Sequence, residues 1–222
     1  MSKQDELKQQ AAAKAVEFVP ENEYIGIGSG TTVNFFIEAL GKSGKKVKGA
    51  VSTSQKTSEL MAQYGIAEIS ANDVTRLAVY IDGADEINHT LQMIKGGGGA
   101  HVPEKIIAQL ADQFICIADE SKYVTRLGKF PLPIEVLPMA RSMVARQLVA
   151  MGGQPELRIG YHTLHGNDIL DVRGLDLSQP LSVERQLNAI TGIVDNGLFA
   201  EKSADLLILA RSNGVELINP HV

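Results

Sequence analysis

The sequence predicts an α/β protein: a mostly parallel sheet with helices on both faces, followed by a smaller α+β unit. Three observations carry this. Short apolar runs alternate with helix-period segments through roughly the first half of the chain. A stiff stretch, Gly128-Lys-Phe-Pro-Leu-Pro133 with Pro138 just beyond, interrupts the alternation. After it, helices and strands resume in a different order, ending in the strongly apolar run Ala204–Ala210, a buried strand assigned to the first sheet.

Taken in order, residues 4–18 read as a helix, because Leu7, Ala11, Ala15 and Phe18 recur at helical spacing among Lys and Gln. Tyr24–Ile27 is a short strand and Thr31–Leu40 a helix ended by Gly41. Val47–Ser52 is a second strand, and Lys56–Tyr64 a helix closed by Gly65 as a left-handed cap. Ile66–Ile69, Leu77–Ile81 and Phe114–Ala118 are further strands, with a helix over Glu104–Ala111. The prolines mark an extended connector and a domain boundary, giving a first domain over 1–130, completed by 204–222, and a second over 131–203. The second holds helices over Met139–Met151 and Ser182–Ala189, and strands near 157–161, 168–171 and 192–195.

Composition bounds the function. A 222-residue chain that is 44% hydrophobic and 21% charged has the make-up of a soluble globular protein. Its net charge of −5 argues against a general nucleic-acid binder. The single cysteine, Cys116, permits no internal disulfide and suits a reducing cytosol. The first residues carry no apolar core of the signal-peptide kind, and no run reaches membrane-spanning length, so a cytoplasmic protein without membrane association is expected.

The chemistry concentrates in residues 77–104. A strand runs into Asp82-Gly-Ala-Asp85-Glu86, then Lys95-Gly-Gly-Gly-Gly99, then Glu104 at a helix start. Asp82 and Asp85 could accept protons from sugar hydroxyls, although Asp and Gly also simply favour turns. A lysine beside glycine amides suits a developing oxyanion, and a four-glycine run is costly to order for packing alone. Pro103-Glu104 reads as a helix opening with Pro at its first position, where the macrodipole keeps Glu104 ionised as a general base requires. Gly26-Ile-Gly-Ser29-Gly30-Thr31-Thr32, between strand and helix, offers amides and hydroxyls to an anion, or is a glycine turn with a threonine N-cap. Lys122 returns to the same sheet edge, and Lys8 lies on the first helix; either could hold an anion or be solvated. His162-x-x-His165 lies far along the chain in a surface turn, so no metal site is expected.

Together, Asp82-Gly-Ala-Asp-Glu-Ile87, Ile94-Lys-Gly-Gly-Gly98 and Glu104-Lys-Ile106 resemble ribose-5-phosphate isomerase of the A type. The resemblance extends from Asp5-Glu-Leu-Lys8 to Gly197-Leu-Phe199. It implies a Rossmann-like domain with a small α+β, ferredoxin-like lid, a homodimer or homotetramer, and interconversion of ribose 5-phosphate and ribulose 5-phosphate in the non-oxidative pentose phosphate pathway, without metal or other cofactor. It further implies Glu104 as the base moving a proton between C1 and C2 through an enediolate. Asp82, with Asp85 nearby, would open the ring and shuttle hydroxyl protons. Lys95 and the amides of Gly96, Gly97 and Gly98 would stabilise the enediolate, and Gly83 and Ala84 would line the substrate. The phosphate falls to Ser29, Gly30, Thr31 and Thr32, with Lys122 and Lys8. Two positions depart from the family's usual pattern: His101-Val-Pro103 stands where a basic residue is more usual, and Thr31 replaces a common serine while keeping its hydroxyl. A sugar-phosphate sensing module and an amino-sugar-phosphate deaminase are the alternatives, and both fit the 82–104 segment poorly.

Overall fold

A computed structural model describes residues 2–220. In chain order, α1 (Lys3–Ala15) is followed by β1 (Tyr24–Ile27), α2 (Thr31–Lys42), β2 (Gly49–Ser52), α3 (Gln55–Gln63) and β3 (Val79–Asp82). The short strands β4 (Glu86–Ile87) and β5 (Met93–Ile94) precede α4 (His101–Leu110) and β6 (Phe114–Asp119). Next come β7 (Leu132–Val136), α5 (Arg141–Ala150), β8 (Gln154–Leu157), β9 (Asp168–Arg173), α6 (Pro180–Asn188) and β10 (Ile193–Asn196). The chain closes with β11 (Leu198–Phe199), β12 (Leu206–Arg211) and β13 (Gly214–Ile218). It divides into two compact units, one gathering the chain through Ala84, Pro103–Tyr123 and the part from Ala204 onward, the other Asp85–Val102 and Val124–Ser203. The boundary read from the sequence, at 130/131, differs in assigning 85–102 and 124–130 to the first domain; β4 pairs with β5 and β5 with β11, which ties that segment to the second unit.

The first unit is a six-stranded sheet in the order β13-β12-β6-β3-β1-β2, parallel except for β13 at one edge. Each inner strand is a near-continuous apolar run because helices cover the sheet. Ile25, Ile27, Val79, Ile81, Ile115, Ile117 and Ile208 pack with Val33, Phe36 and Ile37 of α2 and with Leu7, Ala11 and Ala15 of α1. A capping box between Ser2 and Asp5 starts α1, which packs on α2, β6 and β12. The expected strand over 66–69 reduces to an isolated bridge between Ala50 and Glu68, since Ala67 and Glu68 are exposed and only Ile66 is buried. Helix α2 continues past Gly41 to Lys42. Helix α4 begins at His101, so Pro103 is not its first residue but still lies in the first turn, where amides have no intrahelical partner and a proline loses nothing. From β1 the chain steps outward to β2 and then returns across β1 to β3. The strand order therefore reverses between β1 and β3, the place where open α/β sheets bind ligands at their strands' carboxyl ends.

The second unit holds a four-stranded antiparallel sheet, β10-β7-β9-β8, with α5 and α6, and a three-stranded sheet, β11-β5-β4. The proline-rich segment is not an extended connector. Leu132–Val136 is an inner strand, and Pro133, lacking an amide donor, still accepts at its carbonyl from the Gly197 amide at 2.8 Å. Leu132, Ile134 and Val136 join Val144, Leu148, Leu170 and Leu187 in this unit's core. The strand expected near 157–161 ends at Leu157, leaving Arg158–Tyr161 in the connection to β9.

Candidate active site

In the first unit, the reversal point of the sheet is built from β1, β3 and α4. Asp82, the last residue of β3, is fully buried. Its Oδ1 accepts from the amides of Ser29 at 3.1 Å and Gly83 at 2.7 Å, and its Oδ2 from the hydroxyl of Tyr80. Gly28 makes this possible: a Cβ there would lie 1.9 Å from Asp82 Cγ, and the carbonyl of Gly28 is held by the Thr57 hydroxyl at 2.8 Å. Ser29 turns its hydroxyl to Glu104, donating to Oε1 at 2.8 Å. Glu104, the fourth residue of α4, is 4% exposed and sits where the helix dipole favours a carboxylate. One turn after β1 thus binds Asp82 by its backbone and Glu104 by its side chain.

Tyr80 belongs to no motif that singles it out in the sequence, although residues two apart on a strand share a face, which makes its position relative to Asp82 readable. Burial, followed by the negative charges of Asp82 and Glu104, pushes its phenol well above the ordinary value, so it remains a donor.

The anion-binding expectation maps onto the start of α2. Its N-cap is Gly30 at φ 98°, not a threonine, and no side chain caps the helix, which leaves first-turn amides for a ligand. Lys8 of α1 donates to Thr31 Oγ1 at 3.0 Å, so these two expected residues are brought together. Thr32 is half-buried in the first turn. Lys122 lies in the turn Glu120–Lys122 after β6; among the described residues it makes no hydrogen bond or ion pair with Ser29–Thr32. Ala84 and Gly83 are half-buried.

The second unit carries the other expected group. Lys95 is 3% exposed, its amide bonded to the Gly197 carbonyl at 2.9 Å and its Nζ 5.5 Å from the Phe199 ring centroid. Gly96 and Gly99 adopt φ of 97° and 79°, a backbone that other residues rarely hold. Asp85 accepts from the Gly97 amide at 2.7 Å, which makes it a support of the glycine loop. Arg158 and Tyr161 also reach that loop; both lie too far along the chain for any motif to signal them. His162 and His165 face Asp168 and Glu135 at 3.2 and 3.6 Å. Among the described residues no three His, Cys, Asp or Glu are grouped to hold a metal ion.

The model of the family described as ribose 5-phosphate isomerase A (phosphoriboisomerase A) matches residues 49–214. The chain belongs to the ribose-5-phosphate isomerase A family. A ribose-5-phosphate isomerase A of Neisseria meningitidis serogroup C is 68% identical over 220 residues, 99% of each chain. The crystal structure of ribose 5 phosphate isomerase A from Neisseria gonorrhoeae superposes with a TM-score of 0.98 at 66% identity, covering 100% of both chains. A D-ribose-5-phosphate isomerase in complex with phospho-erythronic acid gives 0.94 at 36% identity, covering 98% of this chain and 100% of that one. The protein is accordingly an isomerase, and ribose 5-phosphate isomerisation is the family's activity. Among the described residues no helix is long and apolar enough to cross a membrane.

Proposed function

We propose that the chain interconverts D-ribose 5-phosphate and D-ribulose 5-phosphate through an enediolate, with Glu104 as the general base. The observation that carries this is the bond from Ser29 Oγ to Glu104 Oε1 beside the buried Asp82. Ser29 fixes one carboxylate oxygen, which orients the group for proton transfer at carbon. On the open-chain aldehyde, Glu104 takes the C2 proton and the C1–C2 double bond forms as the carbonyl electrons move to O1. The protonated Glu104 then returns that proton to C1 while the O2 hydroxyl proton passes to O1 by way of Asp82, leaving O2 as the carbonyl and O1 as a hydroxyl, so atoms and charge balance. Asp82 handles the hydroxyl protons and ring opening, its other bonds keeping it fixed. Lys95 and the amides of Gly96 and Gly98 are assigned to the enediolate oxygen; the Gly97 amide, expected to join them, is instead taken by Asp85, which holds the loop. The phosphate is assigned to the first turn of α2 with Lys8, and Lys122 is proposed as a further cation for it.

A positioned base contributes roughly 10²–10⁴-fold, so charge stabilisation on oxygen carries a comparable share. Phospho-erythronic acid, the ligand bound by the 36%-identical isomerase, supports the assignment. It is a phosphorylated acid whose planar anionic carboxylate resembles an enediolate in shape and charge. We further place the protein in the cytoplasm, as a homodimer or homotetramer. The test is turnover of ribose 5-phosphate by the purified protein in EDTA. Conversion to ribulose 5-phosphate up to equilibrium is expected; folded protein without turnover refutes the assignment.

A further inference from the structure

The connection between β8 and β9 sends two side chains onto the backbone of the glycine loop. Arg158 donates from Nη1 to the carbonyls of Gly96 at 3.3 Å and Gly97 at 3.2 Å, and from Nη2 to Gly96 at 3.3 Å. The rest of its fork grips Asp171 of β9, Nε to Oδ2 at 2.8 Å and Nη2 to Oδ1 at 2.6 Å. Tyr161 donates its hydroxyl to the Gly98 carbonyl at 3.1 Å. Its ring fills the space beside Gly99, where a Cβ would lie 2.0 Å from the tyrosine oxygen. The guanidinium sits 5.4 Å from the same ring's centroid. Three consecutive carbonyls, those of Gly96, Gly97 and Gly98, are therefore held by one connection.

In a trans peptide the carbonyl and the following amide point in opposite directions. Holding these carbonyls aims the amides of Gly97, Gly98 and Gly99 the other way. Asp85 takes the Gly97 amide, and the Gly96 carbonyl takes that of Gly99 at 2.9 Å. That leaves the Gly98 amide for a ligand, and its peptide's carbonyl, that of Gly97, is bound to the Arg158 cation, an arrangement that strengthens an N–H donor. A run of glycines has no intrinsic rigidity, and ordering each backbone unit costs about 1–2 kcal/mol. An oxyanion site works only if its donors are fixed before charge develops.

Given enediolate stabilisation by amides of the glycine loop, itself the reading proposed above, we infer that Arg158 and Tyr161 are positioning residues of the isomerisation. They hold the loop carbonyls so that the Gly98 amide is preorganised for the enediolate oxygen, and Asp171 holds Arg158. Lysine cannot replace the fork, because one ammonium cannot span two carbonyls and a carboxylate in that plane.

The test measures kcat, KM and amide hydrogen exchange across Gly96–Gly99 in the wild type, Arg158→Ala, Arg158→Lys and Tyr161→Phe. Arg158→Ala is expected to lower kcat about 10–100-fold with KM within about 3-fold, the signature of an interaction felt mainly in the transition state. Arg158→Lys should recover little of that loss, and Tyr161→Phe should lower kcat about 3–10-fold. Loop amides should exchange faster in each variant. Unchanged kcat in the variants, or a kcat loss with unaltered loop exchange, overturns the inference. If Arg158→Ala does not fold, Tyr161→Phe, which removes one hydroxyl, decides by the same criteria. A wild type without turnover overturns both readings, whereas an active wild type with unaffected variants overturns this one alone.

Discussion

Replacing Gly28 with alanine probes how tightly the turn after β1 is built around Asp82. The added Cβ would lie 1.9 Å from both Cγ and Oδ1 of Asp82 and 2.5 Å from its Cβ. Ordinary contact needs at least about 3.4 Å, so turn and carboxyl must separate by about 1.5 Å. A carboxyl displaced by that much loses the bonds from the Ser29 and Gly83 amides, now 3.1 and 2.7 Å. Two bonds to a charged group, at about 1.5–3 kcal/mol each, sum to about 3–6 kcal/mol. The melting temperature should fall on the order of 10 °C at about 2–4 °C per kcal/mol, and kcat should fall about 10²-fold or more because Ser29 no longer aligns Glu104. The assay pairs thermal melts with isomerase kinetics in the single variant and in an Asp82→Gly background, where the obstacle is gone. In that background the added methyl should cost far less, giving a coupling of several kcal/mol. A single variant with wild-type melting and kcat would refute the steric account, and purely additive effects would show that the methyl acts elsewhere.

The Tyr80 phenol, raised by burial and by Asp82 and Glu104, keeps its stabilising effect at every pH below the unfolded value near 10, and loses it as pH climbs through the higher folded value. Urea denaturation should therefore show stability falling above pH 10, with Tyr80→Phe lacking that component and being about 1.5–3 kcal/mol less stable at neutral pH; an identical alkaline decline in both proteins would contradict this. Lys8→Ala, which removes the cation bonded to Thr31, should raise KM for ribose 5-phosphate about 5–30-fold with little change in kcat, for a contact worth about 1–2 kcal/mol. An unchanged KM would take Lys8 out of phosphate binding.

The parts of the fold legible in the sequence are those whose burial is written in local pattern. Tyr24–Ile27 is found at its observed bounds because its apolar run ends at the Gly28 turn, and the strands Phe114–Asp119 and Leu206–Arg211 stand out through the continuous apolar runs Phe114–Ala118 and Leu206–Ala210. Leu132–Val136 reads as a connector because Pro131 and Pro133 break the strand signal, while its alternate Leu, Ile and Val do pack in a core. The strands β4, β5 and β11 have two residues each, too few for any periodicity, and exist through pairing with one another. At the site, Ser29, Asp82 and Glu104 are legible from their place after strands and at a helix start, and the structure bonds Ser29 to both acids. Asp85 reads from its motif as a proton carrier, whereas its observed bond is to the Gly97 amide. Arg158 and Tyr161 reach the glycine loop only through tertiary folding, which no spacing encodes.

The measurement that bears most directly on the mechanism is turnover by Glu104→Gln, an isosteric change that removes the base while keeping an oxygen to accept from Ser29. With binding of ribose 5-phosphate followed by calorimetry in the same preparation, kcat should fall by at least about 10³-fold and the dissociation constant should stay within a few-fold of wild type. Turnover near the wild-type rate in a folded, substrate-binding Glu104→Gln protein would contradict the assignment of Glu104 as the base.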